Sequence, residues 1–440
     1  MTYRKLMTAF LLCGAITFSS CDKDVPSGSH TKKFSSAVAT QWFKLLTDIT
    51  RNRPYVPPQT VRILSYSGLA LYESVVKGMP SYQSMYTHLT GDVIPSEHPR
   101  NYYWPAVANS AISSIAPRLM AYYGPNAFET DMNDLKETFN QIFLSEISQQ
   151  EFDRSAALGV LIADKVFEWS KSDGTLNPDG TLAACSPYTP LGQPGTWEPT
   201  PPTFFPAVGK CQGTLRTFIP NVVAEMLPPA PPAYSTDPHS DFYQAALATY
   251  TMRNNMTTDD QKISESWQDL VGTNYNTPAH VVNLTAKLIE NEDMNLEVAS
   301  VLLAQQTMAI FDAVASCFYS KFHYNLLRPV TYIHDVMGHT SWSASIFTPQ
   351  HPAYTSTMVS AAAAGFSTAA NFFGNNHSFS DDSHASLYGT WHYTSFDAII
   401  NDVKRARTVS GVNFVFSADA AIEQGQGVAA RMRAMPFKKP

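Results

Sequence analysis

The sequence predicts an all-α fold: one large multi-helix bundle carrying an ordered, proline-rich excursion. Apolar residues recur with the 3.6-residue period of a helix through most of the chain, and no segment alternates apolar and polar residues as a half-buried strand does. Composition removes the competing classes. Only 15% of the 440 residues are charged and 44% are hydrophobic, against roughly 25% charged in ordinary soluble domains. That excludes disorder and coiled coil. A net charge of −7 without a basic stripe excludes nucleic acid as the partner.

The first element is a targeting segment. Arg4 and Lys5 precede an apolar run from Leu6 to Phe18, too short to span a bilayer, which takes roughly 20 residues, and of the length of a secretory h-region. It ends in Phe18-Ser19-Ser20-Cys21, which resembles a bacterial lipoprotein processing site: residues 1–20 are removed, Cys21 is lipidated and 21–36 form a polar tether. The alternative is an ordinary signal peptide with an incidental cysteine. No later stretch reads as apolar enough to span, so the expected location is the bacterial cell envelope, periplasmic or outer-membrane, with membrane contact through a lipid anchor only.

The helical domain then runs from 37 to 440. Val38, Trp42, Leu45, Leu46 and Ile49 share one helix face, and Thr60 precedes a second stretch holding Val61, Leu64, Leu71 and Val75. Ser148-Gln149-Gln150-Glu151 reads as a capping box opening a helix through Trp169, and Thr258-Asp259-Asp260-Gln261 as another. Long helical stretches follow from Leu296 to Leu327, after Ser356 through Ala370, from Phe396 to Arg407 and from Ala418 to Met432. Between about 174 and 240 lie nearly half of the 30 prolines. That segment reads as an excursion packed over the body, the alternative being a hinge between two domains. Cys185 and Cys211 both lie within it, and an oxidising compartment makes a disulfide between them plausible. Cys317, in an apolar helical run, reads as a buried free thiol.

Three segments in the last third could carry chemistry. Lys321 and Arg328 are two helical turns apart, so both side chains leave one face just before Pro329; either an anion meets them or they are snorkelling surface cations. His351-Pro352-Ala353-Tyr354-Thr355-Ser356-Thr357-Met358 runs into the alanine-rich helix, with Thr355 or Ser356 as N-cap. The free N–H groups there can seat an oxyanion, or be simply capped. In Ala406-Arg407-Thr408-Val409-Ser410-Gly411-Val412-Asn413, Arg407 and Asn413 lie roughly 120° apart on a helix, so they address one site only if the chain turns at Ser410-Gly411.

The order and spacing of these segments resemble the vanadium-dependent haloperoxidases and their relatives, the type 2 phosphatidic acid phosphatases and bacterial acid phosphatases. Their pattern is Lys-x6-Arg-Pro, then Pro-Ser-Gly-His, then Ser-Arg-x5-His. Lys321, Arg328 and Pro329 keep the first motif; His351-Pro352-Ala353-Tyr354, Asp312, the Trp197–Pro202 segment and Tyr72-Glu73 look like the haloperoxidase branch. The resemblance implies that Lys321, Arg328, Arg407, Ser356 and the Thr357 N–H bind the oxygens of vanadate or phosphate. It also implies two histidines, one an acid/base and one that bonds vanadium or attacks phosphorus. Here those positions are Met358 and Asn413, so no catalytic residue of the pattern is retained; Ala406 replaces its serine and Thr355 its proline. Methionine transfers no proton, and an amide nitrogen is neither nucleophile nor metal ligand.

The expectation is therefore a degenerate relative that keeps an oxyanion cradle for phosphate, sulfate or a phosphorylated ligand, with no metal and no retained cofactor. Asp312 is a carboxylate that could neutralise the cations instead. Two alternatives stand beside it: an active phosphatase or haloperoxidase using a relocated histidine (His323, His351 or His392), and a surface binding protein on the same scaffold. Ser380–His384 could hold a cation or be a plain polar loop.

Overall fold

The computed structural model describes residues 30–53, 55–95, 102–124 and 128–440; the leader and the Cys21 lipidation site lie outside them. From Thr31, which is fully buried, the chain already belongs to the body, so the tether expected to reach residue 36 ends before that point. Among the described residues most of the core lies on α1 Ala37–Asn52, α2 Pro57–Val75, α3 Trp104–Ala121, α4 Gln149–Ser170, α5 Thr277–Asn291, α6 Leu296–Tyr324, α7 Thr357–Phe373, α8 Phe396–Val409 and α9 Val415–Ala434, with shorter helices adding to it. One continuous apolar cluster reaches from Val38 to Phe437.

α6 is the axis of the bundle, packed by α2, α7 and α9. Its 29-residue length and a mean hydropathy of 1.5 over its most apolar 18 residues would let it cross a membrane, contrary to the expectation that no later stretch is apolar enough. Yet 94% of its most apolar window is buried inside the protein, which marks a core helix apolar on all sides. α7 and α9 approach closely because a Cβ at Gly425 would sit 2.3 Å from the Ser360 carbonyl.

Several boundaries differ from the sequence reading. α2 begins at Pro57, with proline in its first turn, rather than after Thr60. The second capping box is Thr257 with Asp260, one residue earlier than read. At Ser148 the Oγ accepts from the Glu151 N–H at 3.3 Å, and that half of the box is the one the hydrogen bonds show. α6 ends at Tyr324 because Asn325 takes the left-handed conformation, φ 50°. A two-stranded antiparallel ribbon, β1 Phe379–Asp381 with β2 Trp391–Tyr393, is too short to show alternation.

The excursion is tied down along its length. The Trp197 N–H donates to the Asn325 carbonyl at 2.7 Å and the Val208 N–H to the Gln350 carbonyl at 2.9 Å. Asp312 accepts the Phe218 and Ile219 N–H groups at 2.9 and 2.7 Å. Cys185 and Cys211 form a disulfide, and Cys317 is a buried free thiol.

Candidate anion-binding site

The three motif segments meet on one cavity. Lys321, Arg328, His351, Ser356, Thr357, Met358, Arg407 and Asn413 all line it. The three cations are 0, 1 and 2% exposed respectively. Each is positioned by a chain terminus or turn. Lys321 sits in the last turn of α6. Arg328 is extended because Pro329 follows, and it opens the short helix Pro329–Asp335. Arg407 sits in the last turn of α8, and the turn through Gly411 (φ 83°) swings Asn413 back so that its N–H meets the Arg407 carbonyl at 3.2 Å.

The cations differ in how far the fold satisfies them. Lys321 Nζ donates to the Pro352 carbonyl at 2.9 Å and to the Thr355 carbonyl. Arg328 donates to the carbonyls of His351 (2.8 Å) and Val412 (3.0 Å), and its Nη2 meets His351 Nδ1 at 3.0 Å. Arg407 Nε is buried with no hydrogen-bond partner. No carboxylate among the described residues forms an ion pair with any of the three. Burial, then mutual repulsion, pushes Lys321 down to about 7 and Arg328 to about 9; burial pushes Arg407 to about 10, partly offset by Asp269. An arginine still keeps its proton at neutral pH.

α7 begins at this cluster. Ser356 is its N-cap residue but makes no side-chain cap bond; its Oγ instead donates to Asn413 Oδ1 at 3.3 Å. The first amides of a 17-residue helix thus start at the cavity wall, where orphan N–H groups and the helix dipole both favour an anion. Asn413 is spent structurally: its Nδ2 donates to the Ala353 carbonyl at 3.0 Å and lies 3.4 Å from Ser417 Oγ.

Among the histidines considered, His351 is the one on the cavity. Arg328 is a donor only, so His351 Nδ1 accepts and the ring proton lies on Nε2; Nδ1 also lies 3.3 Å from the Pro352 carbonyl, a contact that needs the other tautomer. Burial, with Lys321 and Arg328 beside it, holds this imidazole neutral, well below the usual histidine range. His323 is exposed and stacks on Tyr319, and His392 pairs with Ser380 on the ribbon.

Other predicted participants are structural. Asp312 holds the excursion and does not neutralise the cations; burial raises its carboxyl to about 8. Glu73 accepts from Ser84 Oγ and the Met85 and Tyr86 N–H groups. In the Ser380–His384 loop, Asp381 pairs with His280 and Asp382 with Lys287; no three-residue His/Cys/Asp/Glu cluster among the described residues could hold a metal. Sequence reasoning missed Asp269, a half-buried cavity residue at φ 57°. Its Oδ1 accepts from the Thr277 N–H and Oγ1 at 2.7 and 3.1 Å, and burial raises it to about 6 against the pull of Arg407. A lone aspartate with no motif spacing offers no signal beyond its place in the turn before α5.

The described residues thus form a helical bundle with three buried cations beside the N-terminus of α7. Residues 301–437 match the family described as the VCPO second helical-bundle domain. Its fold is similar to that of the first bacterial vanadium-dependent iodoperoxidase (TM-score 0.81, 23% identity, covering 92% of this chain and 97% of that one). It also resembles a bacterial vanadium-dependent chloroperoxidase in its holo form (0.67, 15% identity, 88% and 94%) and in its apo form (0.66, 15%, 86% and 94%). No curated protein matches the sequence.

Proposed function

We propose that this protein is an envelope lipoprotein on the vanadium haloperoxidase fold that binds an oxyanion and does not turn it over. The observation that carries the reading is three buried cations on one cavity wall without an ion-paired carboxylate, beside an uncapped helix N-terminus. Burying unpaired charge is costly, and a tetrahedral anion with two or three charges offsets that cost. Catalytic degeneracy rests on Met358, which carries no proton to transfer, and on Asn413, whose amide is committed to Ala353. The related structures are vanadium-dependent; vanadate would fit the cradle as a hydrogen-bonded anion, but the Asn413 amide nitrogen is a donor with no free lone pair to bond the metal. Lipid anchoring rests on the apolar run before Cys21.

Calorimetric titration with sulfate, phosphate and orthovanadate tests the cradle. Binding below millimolar is expected; no heat at millimolar anion overturns it. Cys21→Ser should move the protein from the membrane fraction to the soluble one. A second reading, an active enzyme, is favoured by His351 on the cavity. Bromide oxidation or p-nitrophenyl phosphate hydrolysis that disappears in His351→Ala would establish it. The neutral, Arg328-bound imidazole argues for binding instead.

A further inference from the structure

A second cavity shares no lining residue with the first. It encloses about 330 Å³, at the lower end of the roughly 300–1,000 Å³ of sites that hold small molecules. Two stretches of chain build it: the C-terminal end of the helix Asp241–Asn254, and the loop 339–343 that follows the helix Pro329–Asp335.

The loop is fixed without a ligand. The Trp342 N–H donates to the His339 carbonyl at 3.0 Å, and the Ser345 N–H to the Ser410 carbonyl at 2.9 Å. His334 Nε2 donates to the Trp342 carbonyl at 2.6 Å. The His339 ring stacks on Tyr250 with centroids 4.3 Å apart, which ties the loop to the helix. The buried Trp342 ring lies against Gly411, where a Cβ would sit 2.7 Å from it. A preformed wall lowers the ordering cost of binding.

Two donors in this wall are unanswered. Arg253 Nε and Trp342 Nε1 are both buried without a hydrogen-bond partner. Among the described residues Arg253 forms no ion pair, and no aspartate or glutamate lines the cavity. Buried donors left unpaired are costly, and here the chain supplies no acceptor.

The lining chemistry selects the ligand class. One arginine matches one negative charge; a sulfate or phosphate dianion would bring a second charge with no partner. The planar guanidinium fork fits a carboxylate. Beside it stand hydroxyls on Tyr250, Ser341 and Ser343 and the Asn254 amide, which both donate and accept. No aliphatic side chain lines the cavity among the described residues. Such walls complement hydroxyl groups and offer nothing to a hydrocarbon chain.

We infer that this cavity is a second ligand site, which takes a small polyhydroxylated carboxylate of the sugar-acid type, its carboxylate on Arg253 and its hydroxyls on Asn254, Ser341 and Ser343. The site goes beyond the oxyanion reading and stands whether or not the cradle binds.

The test is calorimetric titration of the full-length protein with D-gluconate, propionate and sorbitol. Gluconate should bind below millimolar. Propionate lacks the hydroxyls and sorbitol lacks the charge, so each should bind at least about tenfold more weakly. Arg253→Gln should weaken gluconate by more than about tenfold, while Arg407→Met leaves it unchanged. A Ser341→Ala/Ser343→Ala variant, at two exposed positions, should lower gluconate towards the affinity of propionate and leave propionate itself unchanged. No gluconate heat at millimolar ligand overturns the inference, and so does sorbitol or propionate binding as tightly as gluconate. Gluconate binding that survives Arg253→Gln and disappears in Arg407→Met overturns it too, because the ligand then sits in the central cavity.

Discussion

Two buried arginines on the same cavity have opposite surroundings. Arg62 donates through Nε to Asp173 at 2.7 Å and through Nη2 to the Ser170 carbonyl at 2.9 Å, and Asp173 raises its pKa despite burial. Arg407, equally buried, has an unpartnered Nε, no ion pair among the described residues, and a pKa pushed down. The fold gives the first charge a carboxylate, although Arg62 Nη1 stays unpartnered, and leaves the second without an ion pair. A protein that needed Arg407 for stability would have placed a carboxylate against it, as it did for Arg62; one that needs it for a ligand leaves the partner to arrive from solution.

The largest effect should come from breaking the completed pair. Asp173→Ala leaves Arg62 buried and uncompensated, which costs about 3–5 kcal/mol of stability. Arg407→Met removes a charge that has no fixed partner, and should leave the ligand-free protein within about 1 kcal/mol of wild type, or stabilise it. Denaturant unfolding of both variants decides the matter. If Arg407→Met is as damaging as Asp173→Ala, the asymmetry is not functional.

The proton chemistry of Lys321 sharpens the comparison. Burial and the two arginines hold it near 7 in the free protein, against about 10.4 in an unfolded chain. The unfolded chain therefore binds this proton more tightly. The lysine's contribution to stability is least below pH 7 and improves as pH rises from 7 towards 10.4. A bound anion favours the ammonium form, so binding above pH 7 takes up a proton. Sulfate, which does not titrate in this range, should lose up to about tenfold in affinity per pH unit between 7 and 9. Calorimetry in buffers of different ionisation enthalpy reads the proton uptake directly. Lys321→Met should flatten the slope; a slope that survives the substitution assigns the proton elsewhere, His351 and Asp269 being the other groups on this wall.

Much of this was legible beforehand because helical period and cation spacing are local signals. α1, α6, α7, α8 and α9 each show an apolar face or run, and Lys321, Arg328 and Arg407 sit at motif spacings. What escaped is non-local. α3 is buried around nearly its whole circumference, holds Pro117 inside it and mixes small polar residues among its alanines, so it displays no face. The Thr257–Asp260 box was displaced by one residue because Thr257 and Thr258 are both competent caps. Asp269 meets Arg407 only through tertiary packing. That Arg407 forms no ion pair among the described residues is likewise invisible until the helices are assembled.

The smallest effect separates a wall residue that binds from one that merely braces. Asn413 lies beside Arg407, but its amide already joins Ala353, Ser356 and Ser417. Asn413→Ala should cost about 1 kcal/mol, the value of a typical net hydrogen bond. The loss stays modest because the Ala353 carbonyl keeps the Ser417 hydroxyl at 2.8 Å. Sulfate affinity should then change by less than about threefold, while Arg407→Met lowers it by more than about tenfold. A tenfold loss in Asn413→Ala would mean that the amide turns from its brace to the ligand, and that position 413 still takes part in binding.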